Sequence, residues 1–121
     1  MPSPARNRAK GTELERKAAD YLKEKVSRYI DRRAKTGAKD KGDLVNVHHE
    51  NGADIAVECK YEAKMRLAGW AAEAETERIN LGAIAGVIIH KRHGKGAPAD
   101  QWVTMTLADF AAILTGKRDD Q

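Results

Sequence analysis

The chain of 121 residues is basic overall, with a formal net charge of +4 at pH 7 and a pI near 9.3. Its length suits one domain with a single modest core and makes two domains hard to fit. The longest apolar run, Leu81 to Ile89, is far shorter than the roughly 18 to 20 residues that cross a membrane, and no signal-peptide hydrophobic region follows Met1. We therefore expect a cytoplasmic protein with an anionic partner, and nucleic acid is a better candidate than a membrane surface.

The first predicted element is an amphipathic helix that begins near Thr12. Residues 1–10 contain two prolines and three basic residues without apolar periodicity, which predicts a flexible basic N-terminal arm. Thr12 and Glu15 have the spacing of a capping box, so Glu15 has a purely structural explanation as part of a helix cap. Apolar residues then recur at three- or four-residue spacing, at Leu14, Ala18, Leu22, Val26 and Tyr29. This pattern indicates a helix with one face packed on a sheet.

The stretch 43–61 predicts a β-hairpin. Two alternating segments, 43–49 and 53–61, flank the pair Asn51-Gly52, and Asn-Gly between β-rich segments is the strongest short-range hairpin signal. Side chains alternate along a strand, which predicts the two faces of the second strand as Ile55, Val57 and Cys59 on one side and Asp54, Ala56, Glu58 and Lys60 on the other. Glu58 and Lys60 are therefore expected side by side.

The remaining elements complete an α/β pattern. They are a short strand near Tyr29 to Arg33, a glycine-rich charged loop up to Gly42, a second helix from about Leu67 to Asn80 that ends at Gly82, strands at Ala83 to His90 and Gln101 to Thr106, and a helix at Leu107 to Leu114. In the second helix, Glu73, Glu75 and Glu77 are predicted away from the apolar side. The order α-β-β-β-α-β-β-α predicts a mixed β-sheet flanked by helices, in one domain over residues 11–115 with a polar tail over residues 116–121.

Two acids and a lysine of the hairpin form a set that suits phosphodiester hydrolysis. Asp43 and Glu58, on adjacent strands, can present two carboxylates to one hard divalent cation, which prefers oxygen ligands. Lys60 shares a strand face with Glu58, where its ammonium can orient or help deprotonate the attacking water and neutralise charge on a phosphate. A short D…ExK string also arises by chance, and without further motifs a solvated strand face with a cross-strand ion pair is the default explanation.

Further motifs accompany this set in order along the chain. Lys10-Gly11-Thr12-Glu13-Leu14-Glu15-Arg16 opens a helix, Gly42-Asp43-Leu44-Val45 supplies an acid, and Val57-Glu58-Cys59-Lys60 closes the hairpin. Together they resemble the PD-(D/E)XK nuclease superfamily, and most closely the archaeal and phage-type Holliday-junction resolvases, whose hallmarks are a KGxxxE helix start, a GD or xDL acid and an ExK strand. The resemblance runs from about Lys10 to Leu114. The loop before Asp43 departs from the archaeal relatives because it is longer and more basic, and Glu73 stands where related nucleases often have Gln.

This resemblance implies a restriction-endonuclease-like fold and an endonuclease that depends on Mg²⁺, with Mn²⁺ as a substitute. Asp43, Glu58 and Glu15 would be the metal ligands and Lys60 the catalytic lysine, with a 5′-phosphate and a 3′-hydroxyl as products. A four-way junction is two-fold symmetric and needs paired cuts, so a homodimer with one site per subunit is expected. Because acids close together repel one another, we also expect raised acid pKa values in the metal-free protein.

Two groups of basic residues are predicted to hold the phosphate backbone of DNA without reading bases. They are Arg32, Arg33, Lys35, Lys39 and Lys41 before the hairpin, and Lys91, Arg92 and Lys95 after the strand at 83–90. The four histidines lack a ligand spacing that meets the carboxylates and are expected to be exposed. Other functions stay open: a less selective endonuclease acting on flaps, branches or duplex, a non-catalytic DNA-binding protein of the same fold, and a small basic RNA-associated protein.

Overall fold

The structure is a computed structural model that describes residues 3–35, 37 and 39–119. Within these residues, the order of helices and strands predicted from the sequence is confirmed, and the class is mixed α/β. The elements are helix α1 (Pro4–Lys25), strands β1 (Asp31–Arg32), β2 (Leu44–Val45) and β3 (Ile55–Lys60), helix α2 (Leu67–Leu81), strand β4 (Ala85–His90), a 3₁₀ helix (Pro98–Asp100), strand β5 (Trp102–Thr104) and helix α3 (Leu107–Thr115). None of the described helices is long and apolar enough to cross a membrane.

The strands form two small sheets in the described part of the chain. In the larger sheet, β4 lies between β3, which runs parallel to it, and β5, which runs antiparallel. The parallel pair needs a crossover connection, and α2 provides it. In the smaller sheet, β1 and β2 pair antiparallel, with Arg32 opposite Leu44. All residues of β4 are buried, as its continuous apolar sequence predicts for a central strand.

The predicted turn and the antiparallel approach of its two arms are confirmed, but the first arm is a strand only at β2, which pairs with β1 rather than with β3. Main-chain hydrogen bonds join Asp43 N to Val57 O (2.7 Å), Ile55 N to Val47 O (2.8 Å) and His49 N to Ala53 O (2.8 Å). The turn closes with a bond from Gly52 N to His49 O, and Gly52 has a φ of 91°. Strand β2 ends at Val45 because Asn46 adopts a left-handed backbone, with a φ of 63°, and its side-chain amide donates to the Tyr29 carbonyl.

Helix α1 begins earlier than predicted. Ser3 caps its N-terminus by accepting a hydrogen bond from Arg6 N (3.1 Å), and Pro4 stands in the first turn, where its missing N–H is not needed. Residues 4–10 are therefore helical, so the predicted flexible arm is wrong there, and residues 1 and 2 lie outside the described part of the chain. The capping box is also wrong, because Thr12 lies inside the helix.

Strand β3 separates two different environments because its side chains alternate. Val57 and Cys59 pack against α1, where Leu14 and Ala18 belong to the same apolar cluster. The other side of β3 faces α2, and the apolar cluster there is smaller. It consists of Trp70, Ala74 and Ile88. The α2 side of β3 also carries polar side chains, because Lys60 meets Glu73 of α2 there.

Close contacts hold α2 and α3 against β4. A Cβ atom on Gly86 would lie 2.5 Å from the Ala74 carbonyl oxygen, so glycine at this position lets α2 approach the sheet. In α3, Asp109 accepts a hydrogen bond from Gly86 N (3.2 Å) and forms an ion pair with Arg118 (2.7 Å). Arg118 also donates to the Ile84 carbonyl (3.0 Å), so the polar C-terminal segment is anchored there. The approach at Gly86 places α2, which carries several acids of the site described next, directly against the sheet.

Candidate active site

The site begins where the chain enters the hairpin, at Gly42 and Asp43. Gly42 has a φ of 98°, and a Cβ atom there would lie 2.8 Å from the Val57 carbonyl oxygen. Glycine therefore allows the two strands to approach here, and Asp43 N donates to the same Val57 carbonyl (2.7 Å). This arrangement fixes the backbone of Asp43 directly beside β3.

The Asp43 carboxylate is 5% exposed, and the protein supplies a donor to each of its oxygens. Oδ2 accepts a hydrogen bond from Cys59 N (2.8 Å), and Oδ1 accepts one from Lys35 Nζ (3.2 Å). The charge of Asp43 raises the pKa of Lys35. Because Cys59 lies between Glu58 and Lys60 in the strand, the bond to its N–H holds Asp43 beside the stretch of backbone that carries both residues predicted to act with it.

Lys60 forms ion pairs with two acids on the α2 side of β3. Its Nζ lies 4.0 Å from Glu58 Oε1 and 2.7 Å from Glu73 Oε2. Burial lowers the pKa of Lys60, but the hydrogen bond with Glu73 and the charge of Glu58 outweigh it, so the net effect is a raised pKa. Lys60 is therefore an ammonium at neutral pH, which suits it to neutralise phosphate charge rather than to accept a proton.

Glu15 approaches the same area from α1. Its Oε1 accepts a hydrogen bond from Arg32 Nε (3.2 Å). Partial burial raises the pKa of Glu15, the charge of Asp43 adds to the rise, and the hydrogen bond with Arg32 opposes it. The predicted cap role is thus replaced by an ion pair with Arg32, at a position where Glu15 and Asp43 interact electrostatically.

The closest group of acids includes two residues that the sequence prediction omitted. Carboxylate oxygens of Asp40, Glu58 and Glu77 all lie within 4.8 Å of one another. Among the described residues, no such group contains Glu15 or Asp43. Glu77 is 1% exposed, so its predicted place away from the buried side of α2 is wrong.

Two different features bring these additional acids to Glu58. Trp70, Ala74 and Glu77 are buried in α2 at helical spacing, so the buried face of the helix runs through Glu77. That spacing was a usable signal in the sequence. Asp40 arrives through tertiary contacts that no local pattern predicts. Its carbonyl accepts a hydrogen bond from Asn80 Nδ2 (2.8 Å), and its Oδ1 accepts one from Gly42 N (3.0 Å).

The electrostatics of this group favour an added positive charge. Burial raises the pKa of Glu58, and the contact with Glu77 and the charge of Asp43 add to the rise. Burial also raises the pKa of Glu77; the contact with Glu58 opposes this rise, and Asp40 and Asp43 add to it. The raised acid pKa values predicted from the sequence are thus confirmed for Glu15 and Glu58. A set of carboxylates offers only oxygen ligands, which suits Mg²⁺ or Mn²⁺ better than a softer metal.

Some predicted DNA-binding residues of the loop before the hairpin are committed to contacts within the protein. Arg32 pairs with Glu15, and Lys35 pairs with Asp43. Arg33 donates to the Leu44 carbonyl (3.2 Å), while its Nε is buried without a hydrogen-bond partner among the described residues. Lys39 and Lys41 are exposed. In this loop, only Lys39 and Lys41 remain as exposed candidates for DNA binding without a described contact inside the protein.

The second basic group follows β4 and is also divided. Lys91 donates to the carbonyls of Arg92 and Lys95, and the Arg92 guanidinium lies 4.4 Å from the centre of the Trp102 ring. Lys95 is exposed. Arg92 and Lys95 can therefore meet an anionic partner, whereas Lys91 mainly closes the turn.

His90 is buried, so the expectation that the histidines are exposed is wrong for this residue. Its ring lies 5.2 Å from the ring of Trp70, and its Nε2 is 2.7 Å from Thr104 Oγ1. Burial lowers the pKa of His90. The residue is part of the packing between α2 and β4.

Comparisons of the chain with protein-family models, curated proteins and solved structures found no match in any of the three.

Proposed function

We propose that the protein is a Mg²⁺-dependent, structure-selective DNA endonuclease of the PD-(D/E)XK type that resolves four-way junctions. The observation that carries this proposal is the convergence of Asp43, Glu58 and Lys60. The carboxylate of Asp43 is bonded to the N–H between the other two residues, and Lys60 Nζ lies 4.0 Å from Glu58. The order of elements and the parallel pairing of β3 with β4 support the restriction-endonuclease-like fold that the proposal includes.

The chain's own groups have distinct roles in this proposal. Asp43 and Glu58 would hold the cation, and Glu15 would complete the acidic set from α1. The chemistry supplied by a divalent cation there would be Lewis-acid activation of the phosphate and of the attacking water. Lys60 stabilises the charge that develops on the phosphate, and its ion pair with Glu73 keeps it protonated and oriented. The products are a 5′-phosphate and a 3′-hydroxyl.

DNA binding uses the exposed cations on either side of this site. Lys39 and Lys41 flank the acidic group in sequence, and Lys95 belongs to the turn after β4. Such residues hold phosphates irrespective of base sequence, which fits recognition of a branched shape.

Paired cuts in a two-fold symmetric junction require two sites, so the proposal includes a homodimer. Helix α3 exposes Leu107, Phe110 and Leu114 at helical spacing, and a second copy of the chain would cover this apolar stripe.

A cleavage assay tests the proposal. Wild type, Asp43→Asn and Lys60→Ala are incubated with labelled four-way junction, flap and linear duplex, with and without Mg²⁺. Asp20→Asn and Lys64→Ala are matched controls at exposed positions. Wild type and controls should cut the junction symmetrically and only with Mg²⁺, while each site variant should lose at least about 100-fold in rate, because it lacks a group that stabilises the transition state.

Other results divide the alternatives. Binding without metal and without cuts by any variant would refute the nuclease and favour a DNA-binding module. Equal cleavage of junction, flap and duplex would retain the nuclease and remove the junction selectivity.

A further inference from the structure

The oxygens of Asp40, Glu58 and Glu77 have the spacing of a cation site. They lie within 4.8 Å of one another. Oxygen ligands of Mg²⁺ lie about 3.0 Å apart when adjacent and about 4.2 Å apart when opposite, so side-chain movements of about 1 to 2 Å would let all three acids share one divalent ion.

Glu77 gives an independent reason to place a ligand there. It is 1% exposed, and no hydrogen-bond donor among the described residues reaches either of its oxygens. A buried carboxylate without a donor is strongly destabilising unless it takes up a proton or a cation. Its nearest polar neighbours are the carboxyl groups of Glu58 and Asp40, so this group contains no cationic side chain.

Asp40 is held in place at the open side of this group. Its carbonyl is bonded to Asn80 of α2 and its Oδ1 to Gly42 N, so the loop is tied both to the helix and to the start of the hairpin. Asp40 is itself exposed, which gives an ion a route to the two buried acids.

We propose that Asp40, Glu58 and Glu77 form a divalent-cation site that is separate in its ligand set from the Asp43–Glu58 position. This cation site rests on the proposed function only because Glu58 would be a ligand both here and at the metal position beside Asp43. An ion bound there compensates the buried charge of Glu77 and links α2 to the basic loop, whose Lys39 and Lys41 flank Asp40. Binding of the metal therefore fixes the loop that carries Lys39 and Lys41 relative to α2.

Counting bound Mn²⁺ tests this site without any assay of cleavage. Protein freed of metal with EDTA is titrated with Mn²⁺, and the free ion is measured by electron paramagnetic resonance. Wild type should bind two ions. Glu77→Gln and Asp40→Asn should each weaken the same one by at least about 10-fold, since even outer-sphere changes weaken metal sites by that factor. The double variant should lose no further ion.

Two controls keep the result interpretable. Glu24→Gln, the same chemical change at an exposed position of α1, should retain both ions. Asp43→Asn should weaken the other ion and leave the Glu77 ion in place. Thermal unfolding in EDTA establishes that each variant folds, and Asp40→Asn changes an exposed residue with no core to disturb.

The inference fails if Glu77→Gln and Asp40→Asn bind as many ions as wild type with the same affinity, because the acids then share a proton only. If the wild type cuts no DNA, but Glu77→Gln binds one ion fewer than the wild type, the cation site stands and the nuclease proposal fails. If Asp43→Asn alone loses an ion, the nuclease metal stands and the further site fails.

Discussion

Asp43 and Glu77 are both buried next to Glu58, but their surroundings differ. We call the part of the site around Asp43 the hairpin side and the part around Glu77 the α2 side. On the hairpin side, each oxygen of Asp43 accepts a hydrogen bond, one from the Cys59 N–H and one from the Lys35 ammonium. The α2 side surrounds Glu77 with carboxylates, and no donor among the described residues reaches it. One acid is thus compensated by the protein itself, and the other depends on something taken from solution.

This difference indicates how the two sides of the site divide their tasks. The charge of Asp43 is built into the fold, because its main donor is a backbone group of β3. The charge of Glu77 must be matched by a proton or a cation, since an unpaired buried charge is too unfavourable to persist. Metal content should therefore affect the α2 side more strongly than the hairpin side.

The largest expected effect comes from breaking the hairpin side at Gly42. In Gly42→Ala, the new Cβ would lie 2.8 Å from the Val57 carbonyl oxygen, at a φ of 98°. We expect a loss of about 2 to 4 kcal/mol in the free energy of unfolding, from steric overlap and left-handed strain together. Urea unfolding in EDTA measures it.

Gly52→Ala is the matched control for Gly42→Ala. Its φ is 91°, but nothing lies within 4 Å of the added Cβ, so it contains the strain without the overlap. We expect a loss of about 1 to 2 kcal/mol. Equal losses in the two variants would mean that the contact with Val57 does not hold Asp43 in place.

A smaller change in the free energy of unfolding is expected on the α2 side, where Glu77→Gln should stabilise the protein at high pH. The pKa of Glu77 is raised in the folded protein to about 7, so between about pH 4.5 and about pH 7 the folded state binds more protons than the unfolded state and loses stability as pH rises. Glu77→Gln removes this titration. In EDTA, it should match wild type near pH 5 and be more stable by on the order of 1 to 3 kcal/mol at pH 8.

Urea unfolding at both pH values, with Glu24→Gln as the control, measures this difference. Glu24→Gln should follow wild type at each pH, because its side chain is exposed. A constant difference between Glu77→Gln and wild type across this range would show that Glu77 carries no destabilising charge.

The contrast between the two sides also explains what could be predicted from the sequence. Alternation along 53–61 placed Glu58 and Lys60 together, and the Asn51-Gly52 turn set the pairing that brings Asp43 to them. These are local rules, and they were sufficient for the hairpin side. The order of elements and the end of α2 at Gly82 followed from equally local signals.

The α2 side depended on information that local patterns conceal. The helical spacing places Glu77 on the buried face of α2. Because charged residues are usually exposed, the sequence prediction nevertheless put it on the outer side. Asp40 joins the group through its contact with Asn80, which is distant in sequence. The early start of α1 was missed for a different reason, because its first turns have no apolar periodicity although Ser3-Pro4 is a recognisable helix start.

The smallest expected effect concerns Lys35, the second donor to Asp43. Its side chain is 77% exposed, so the ion pair is screened by water and should contribute about 0.2 to 1 kcal/mol. Lys35→Ala should lower the free energy of unfolding by that amount at low ionic strength and by less in 1 M NaCl. Lys39→Ala, in the same loop, is the control in parallel urea titrations. A loss well above 1 kcal/mol would mean that Lys35, rather than the Cys59 N–H, is the main compensation for Asp43. The hairpin side would then depend on a mobile cation much as the α2 side depends on an ion from solution.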